Sequence, residues 1–557
     1  MTARAVVAVA AATLVMVAPA GAKTFEVTRT GDTAPNGCGQ GGCTLREAIL
    51  AANARTGADV VELRSGKTYE LQIPGALEDL AATGDLDVTE ALTIRKTERR
   101  RATIDAQGVD GVLDAFARLA VDGVVVEDGL TGVRTAAPLS LRSSRVTGNI
   151  QYGIQSNATG DSISLVGSAI TGNGYQGIQQ NVGGGISLLR SRISGNDFQG
   201  IQQYGDGGVR LIRSKVVGQE FQGIQEYEAG SVSLVRSSVD GQGNQGVQEY
   251  DRGDVSLVRS SVSGNEHQGI QESEEGAVRL ARGTVSRNGH QGIQTYDEGG
   301  LRINRGKVSG NGSQGIQAYD DASATVRRAV IKGNDGRGLE LYVEQTYAVS
   351  NSTITSNEGG MVFGDGAGKI TGSTINGNTV LGDGGGIDNE TPLVIRNSTV
   401  AGNQASGDGG GIHNTGQLRL NNVTVVRNVA DSDNSTNGLG GGLYNGLLLS
   451  STEVGNSLIA LNDMVGGNAD DCWGAFDSTG GNLRSDPTEC GDWDGVGDAV
   501  RANAKIGQLR RNGGPTETIA LKRGSPAIGG ARKATAEKRD QRGQKRDKQP
   551  DIGAYER

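Results

Sequence analysis

A Gly-Ile-Gln unit returns with a 23-residue period through the middle of this chain, and a repeat of that length leaves few folds open. Gly177, Gly200, Gly223, Gly246, Gly269, Gly292, Gly315 and Gly338 keep the interval, and Gly153 precedes the first of them at an interval one longer. Each is followed by Ile, Leu or Val and then by Gln, with Glu340 in the last unit. A second apolar set keeps step at Ile163 and Leu165, Ile186 and Leu188, Val209 and Leu211, Val232 and Leu234, and Val255 and Leu257. A third position follows at Ile170, Ile193, Val216, Val239 and Val262. Residues two apart share one face of a strand. Each unit therefore offers three short strands with one or two aliphatic side chains on one side. No unit can bury that side alone, so the units must stack as coils around a shared interior. Helical repeats of similar length need longer amphipathic runs. The expected fold is an all-β parallel β-helix.

After Gly338 the period loosens: Gly386-Ile387, Gly411-Ile412 and Gly442-Leu443 continue it at intervals of 25 and then 31. Glycine is 91 of 557 residues and hydrophobic residues are 35 %, which suits many short strands joined by tight turns where Gly supplies positive φ. Asn149, Asn173, Asn196, Asn265, Asn288, Asn311, Asn334, Asn357, Asn378 and Asn403 end the third-strand segments, with Gln219 and Gln242 substituting. Asn tolerates the left-handed conformation, and stacked amides bond to those above and below. A structural ladder is expected. The formal charge of −9 provides no general attraction to nucleic acid or anionic membrane.

Arg4, the apolar stretch Ala5 to Ala18 and the ending Ala20-Gly21-Ala22 read as a secretory signal cleaved after Ala22. No later stretch is long and apolar enough to span a bilayer. The protein is expected outside the cell or on its surface, as a monomer. In that oxidising setting, the local pairs Cys38 with Cys43 and Cys472 with Cys490 are the simplest disulfides; a four-cysteine zinc site lacks the usual spacing. Residues 44–54 read as a helix, with Thr44 and Glu47 as a capping box and Leu45, Ile49 and Ala52 on one face. It is expected to lid the first coil. The reading divides the chain into a signal (1–22), an N-terminal cap with the first coils (23–110), the β-helix (111–465, most regular at 150–345) and a C-terminal capping region (466–557). Within the last, Arg532 to Arg546 reads as a solvated, loosely ordered segment.

Both ends carry familiar motifs. Cys43-Thr-Leu-Arg-Glu-Ala-Ile49, Ala51-Ala52-Asn53, and Gly84-Asp85-Leu86-Asp87 before Leu92-Thr93-Ile94 resemble the CSLREA-type N-terminal domain of secreted bacterial β-helix proteins. Gly384-Gly-Gly-Ile-Asp-Asn389, Asn397-Ser-Thr-Val-Ala-Gly-Asn403 and Gly409-Gly-Gly-Ile-His-Asn414 resemble their repeats. Asn512-Gly-Gly-Pro-Thr516, Gly524-Ser-Pro-Ala-Ile528, Asp540-Gln-Arg-Gly543 and Asp551-Ile-Gly-Ala-Tyr-Glu556 resemble the choice-of-anchor Q-like C-terminal region. The resemblance implies a right-handed parallel β-helix at the cell surface or outside the cell, in line with the crossover preference. It implies no reaction. The Gln-rich middle departs from the usual Gly-Gly-Gly-Ile-Tyr-Asn repeat.

Coiling turns the period into columns about 4.8 Å apart along the axis. Arg190, Arg213, Arg236, Arg259, Arg282, Arg305 and Arg328 form one column at a strict 23-residue spacing. Alternation would point them inward, so they must sit at a corner. Two readings compete: a solvated by-product of duplication, or a basic track about 29 Å long, six intervals at roughly 4.8 Å, for polyanionic glycans. Beside it Val166, Leu189, Ile212, Val235 and Val258 fall on the outward parity, where arginine stems are expected to cover them, the alternative being an apolar stripe suited to a partner. Gln155, Gln179, Gln202, Gln225, Gln248, Gln271, Gln294 and Gln317 follow the buried aliphatics and should face out. Tyr204, Tyr227, Tyr250, Tyr296, Tyr319 and Tyr342 stand nearby, with Ser273 interrupting. Amides and tyrosine rings suit sugars, and they equally suit a stacked sheet surface. Glu226, Glu249 and Glu272 form a short acidic column, read as solvated turn acids balanced by Arg252, with Ca²⁺ as the weaker alternative. No other cofactor is implied.

A polysaccharide lyase needs a base and a carboxylate neutraliser, and a hydrolase needs two carboxyl groups. Neither set stands out as a break in the repeat, and His267 and His290 read as turn residues. The expected function is therefore non-enzymatic: a secreted or surface β-helix that binds extracellular polysaccharide or cell-surface glycan, or acts as an adhesin. A pectate-lyase-like lyase or glycoside hydrolase is the alternative.

Overall fold

The computed structural model describes residues 21–557 apart from 40, 76–77, 159, 161, 297, 321–322, 436–437, 447–449, 466–467, 487–489, 492–494 and 501. Residues 1–20 of the expected signal lie outside the described residues. The described residues form two compact units, the first ending at Ile150 and the second running from Gln151 to Arg557. Among the described residues no helix is long and apolar enough to cross a membrane.

The first unit is a set of parallel coils whose most regular step takes Leu113 to Val133 and Leu119 to Leu139, somewhat shorter than the coils that follow. Its helix α1 (Leu45–Asn53) starts at the expected capping box, where Thr44 N donates to Glu47 Oε2 (2.8 Å) and Glu47 N to Thr44 Oγ1 (3.3 Å). Leu45, Ala48, Ile49 and Ala52 are buried against strands Thr24–Glu26, Asp59–Leu63 and Leu86–Val88. A disulfide joins Cys38 to Cys43 just before the helix.

In the second unit each regular coil holds three strands, for example Ile178–Gln180, Ile186–Leu189 and Arg192–Ser194. Every strand pairs in parallel with its copy in the next coil, Ile178 with Ile201, Ile186 with Val209 and Ile193 with Val216. These aliphatic columns are buried almost completely and form the interior. The asparagine ladder is present and buried: the Oδ1 of Asn288 accepts from both Asn265 N (3.2 Å) and Asn265 Nδ2 (2.8 Å). The pattern continues through Asn428 and Asn462, beyond the run read from sequence.

Glycine has two separate duties here. Gly172, Gly195, Gly218, Gly241 and Gly264 lie at positive φ as expected. The Gly of Gly-Ile-Gln does not; it is there for space. A Cβ on Gly246 would lie 2.4 Å from Val262 Cγ1 and 2.7 Å from the Gly269 carbonyl oxygen.

From Leu339 the strands lengthen, to Leu339–Ser350 and Met361–Thr371, with Tyr347 stacked on Phe363 inside. A second disulfide joins Cys472 to Cys490. The C-terminal segment corrects the expectation of a loose, solvated end. It lies along the third strands of the coils at residues 373–460, where Gln541 Nε2 donates to Thr374 Oγ1 (2.9 Å) and Thr399 Oγ1 donates to Gln541 Oε1 (2.7 Å). Arg546 is buried and bonds Glu556 Oε2 (3.0 Å) and Asn397 Oδ1 (3.1 Å). Ile506, Ile519, Leu521 and Ile552 cover Val426, Leu458 and Ala460. The segment is charged in composition because its outer half faces water, while its apolar residues close a sheet face.

Candidate functional site

The arginine column occupies the corner between the second and third strands. Arg190, Arg213, Arg236, Arg259, Arg282, Arg305 and Arg328 are all exposed and all left-handed, with φ between 51° and 58°. Each backbone N–H is used by the coil, as in Arg236 N to Val258 O (2.9 Å), while the side chain stays in solvent. Other coils place Gly167, Asn351, Asn397, Asn422 or Asn456 at this type of left-handed corner, the residues that tolerate it best. Arginine there costs about 1–2 kcal/mol of backbone preference relative to glycine. Arg213, Arg236, Arg259 and Arg282 border a shallow cleft of about 510 Å³ whose other wall carries Ser238, Ser261 and Thr284. Beside the corner Val166, Leu189, Ile212 and Val235 are half-buried and Val258 is 38 % exposed.

The glutamines are less open than expected. Gln202, Gln225 and Gln248 sit on the outward parity yet are only 3–5 % exposed, and Gln271 is half-buried. A second glutamine column covers them, from the residue before each glycine. Gln199 Nε2 donates to Gln225 Oε1 (2.8 Å) and Gln222 Nε2 to Gln248 Oε1 (2.8 Å), while Gln202, Gln225, Gln248 and Gln271 bond in series at 2.9–3.1 Å. These amides are committed to one another. Tyr204, Tyr227 and Tyr250 are half-buried and stack at 4.5 and 5.1 Å, nearly parallel. Stacking covers their ring faces within the run, so mainly edges and hydroxyls meet solvent. His267 and His290 also stack, at 4.9 Å.

Glu226, Glu249 and Glu272 are not solvated turn acids. Each lies two residues after the inward Ile or Val and is fully buried in the interior. Burial, and then the charge of Glu249, push Glu226 up to about 9. Burial pushes Glu249 to about 8, against the bond its Oε1 accepts from Gly253 N (2.8 Å). The signal was strand alternation itself, which places the residue after Gln inward.

A local break in the repeat does exist, beyond the regular coils. The outward column that carries Gln317 continues in register through Glu340, Val362, Asp388, His413, Tyr444 and Trp473. The amide row ends on Glu340, which accepts from Gln314 Nε2 (3.0 Å) and Tyr319 Oη (2.8 Å). Further on, His413 Nδ1 lies 2.8 Å from Asp388 Oδ1, and Arg337 lies 3.4 Å from Asp388 Oδ2. Burial opposes charge on His413, but the bond to Asp388 and the nearby Asp383 and Asp408 outweigh it and raise the pKa. Burial and Asp388 raise Glu390. Tyr444 stacks on His413 at 5.1 Å and Trp473 on Tyr444 at 4.9 Å. A larger groove of about 710 Å³ runs over the outer face near Ala348 and Val394. Two of its arginines are paired, Arg419 with Glu453 and Arg396 with Glu537.

A family model for the right-handed β-helix region matches residues 122–303, 222–372 and 291–464, more than half of the chain. This chain belongs to the right-handed β-helix family. Among solved structures, this β-helix is similar to pectate lyase Pel9A (12 % identity, 96 % of each chain covered, TM-score 0.20). It is also similar to the periplasmic alginate epimerase AlgG (11 %, 61 % of this chain and 80 % of that one, TM-score 0.30). A third is the A-module of the Azotobacter vinelandii mannuronan C-5 epimerase AlgE6 (12 %, 82 % and 99 %, TM-score 0.28). With TM-scores this low, none of the three bears on what this β-helix does. No curated protein matches it.

Proposed function

We propose that this β-helix is a non-enzymatic, extracellular binder of acidic polysaccharide, and that the arginine corner is its binding track. The observation that supports this reading is the cleft along Arg213, Arg236, Arg259 and Arg282. Its cations repeat at the rise of one coil, about 4.8 Å, and are kept at left-handed positions that glycine or asparagine would fill more easily. A polymer with one carboxylate or sulfate per sugar can pair with such a row, because guanidinium bonds these groups through two parallel N–H donors. The hydroxyls of Ser261 and Thr284 on the far wall can bond sugar hydroxyls. Two disulfides suit an oxidising extracellular setting. Retention on heparin, alginate and pectate columns tests the track: the triple variant Arg236→Ala, Arg259→Ala, Arg282→Ala should elute at clearly lower salt. Unchanged retention removes the proposal.

One observation favours a second reading, a polysaccharide lyase or hydrolase. Asp388 and His413, flanked by Arg337 and Glu390, form a charged break beside the Tyr444–Trp473 stack. There the imidazolium could act as a general acid and the arginine could neutralise a sugar carboxylate. Release of reducing ends or ultraviolet-absorbing product from pectate, alginate or hyaluronan, lost in His413→Ala and Asp388→Asn, would establish it. Absence of product from all three leaves the binding reading.

A further inference from the structure

The first unit holds three buried carboxyl groups on one sheet face. Asp87 lies on strand Leu86–Val88 and Asp114, its register partner, on Leu113–Ala115. Asp85, two residues before Asp87, shares its side of the extended chain. Leu86, Val88, Leu113 and Ala115 take the inward positions and are buried. Asp85, Asp87 and Asp114 are 6 %, 0 % and 6 % exposed, and one carboxylate oxygen of each lies within 4.8 Å of the others.

Their existing partners do not account for this charge. Ala81 N donates to Asp87 Oδ2 (2.6 Å) and Arg134 NH1 to Asp114 Oδ2 (3.0 Å). Asp87 Oδ1 is buried and meets no hydrogen-bond donor among the described residues. A buried carboxylate oxygen without a partner is costly. The nearby Arg46 is already used. It pairs with Asp32 through Nε and NH2 (2.9 and 2.8 Å) and donates to the carbonyl oxygens of Ala81, Gly84 and Asp85 (2.8–3.1 Å). Arg46 therefore holds the turn that carries Asp85 in place without neutralising the trio. Burial, then Asp87 and Asp110, push Asp85 up to about 7, while burial, with Glu78 and Asp114 nearby, pushes Asp87 to about 6.

We infer that Asp85, Asp87 and Asp114 bind a divalent cation of the Ca²⁺ class, with Asp87 Oδ1 as a ligand. An all-oxygen, all-carboxylate donor set on a sheet face with turn backbone beside it suits a hard cation with flexible coordination. A bound cation would satisfy the orphaned oxygen and offset the mutual repulsion. The arginine of the Cys43–Ile49 motif and the Asp pair of Gly84-Asp85-Leu86-Asp87 thus serve one purpose, the first positioning what the second contributes.

The test uses the full chain stripped with chelator and titrated with CaCl₂ alone, followed by calorimetric titration and thermal melting. The expected result is saturable binding of about one equivalent with a rise in Tm, and binding weakened at least about tenfold in Asp87→Asn and in Asp114→Asn. Glu226→Gln, in the second unit, should keep the full response. No Ca²⁺ binding by the wild-type chain overturns the inference, as does an undiminished response in folded Asp87→Asn. Absence of wild-type binding decides against it even if a variant fails to fold, and glycan retention in chelator separates it from the arginine-track proposal.

Discussion

Glu226 is the residue where strand parity and charge conflict most sharply, since an inward position in a solenoid leaves a carboxyl group no water. Its folded pKa of about 9, and about 8 for Glu249, lie above the ordinary 4.5. Protonation is therefore favoured by the fold: the stabilisation is complete below about pH 4.5 and is lost as pH rises through 8 and 9. The midpoint of thermal unfolding should fall between pH 5 and pH 9. Glu226→Gln should flatten that fall and gain on the order of 2 kcal/mol at pH 9, because Gln180 and Gln203 already fill this column fully buried. An unchanged pH profile would show that the column is not protonated. The arginine corner yields a second prediction at the same scale. Arg236→Gly should raise stability by about 1 kcal/mol, since glycine takes the left-handed φ without strain, while weakening retention on polyanionic columns. Opposite signs in the two measurements would mean that the side chain is kept for binding and not for the coil.

The coil is the element on which most of the packing depends, and its lateral bonds are carried by amides. Asn288→Ala removes the acceptor of Asn265 N and Nδ2 and the donor to Asn311 Oδ1 (2.9 Å). Leaving buried donors unsatisfied should cost about 1–3 kcal/mol. Each coil touches only its neighbours, so hydrogen exchange should quicken around residues 265–311 and stay unchanged at the Cys472–Cys490 end. Uniform loss of protection would argue against a ladder of independent steps. The coil was legible in the sequence because aliphatic residues two apart, recurring at one fixed period, allow one solution. The glutamine surface was read less well. Alternation placed Gln225 outward, but only the folded coil brings Gln199 and Gln222 over the row and removes it from solvent.

At the scale of the whole chain, the C-terminal segment shows how far composition alone can mislead. Residues 532–546 are rich in charge, yet Asp540, Gln541 and Arg546 are 3–5 % exposed because each meets a partner far away in the chain or within the segment's own turn. Arg546→Met should cost about 3–5 kcal/mol, since it strands the buried Glu556 carboxylate. It should also speed exchange in strands Thr374–Asn376, Thr399–Ala401 and Thr424–Val426, with the coils at 178–272 unaffected. Equal protection in wild type and variant would mean that the segment does not hold those strands.

The residues that matter most for function divide along the same line. Sequence alone determined the parallel coil, its three strands, the capping box, the disulfide pairs and the arginine corner, because each follows from local spacing or from parity within one strand. Tertiary structure decided what meets across neighbouring coils or turns: that Asp388 meets His413, that a second glutamine row covers Gln225, and that Asp85, Asp87 and Asp114 converge beside the turn that Arg46 holds. Burial and charge–charge distance set those properties, and both are produced by stacking, which no single repeat contains.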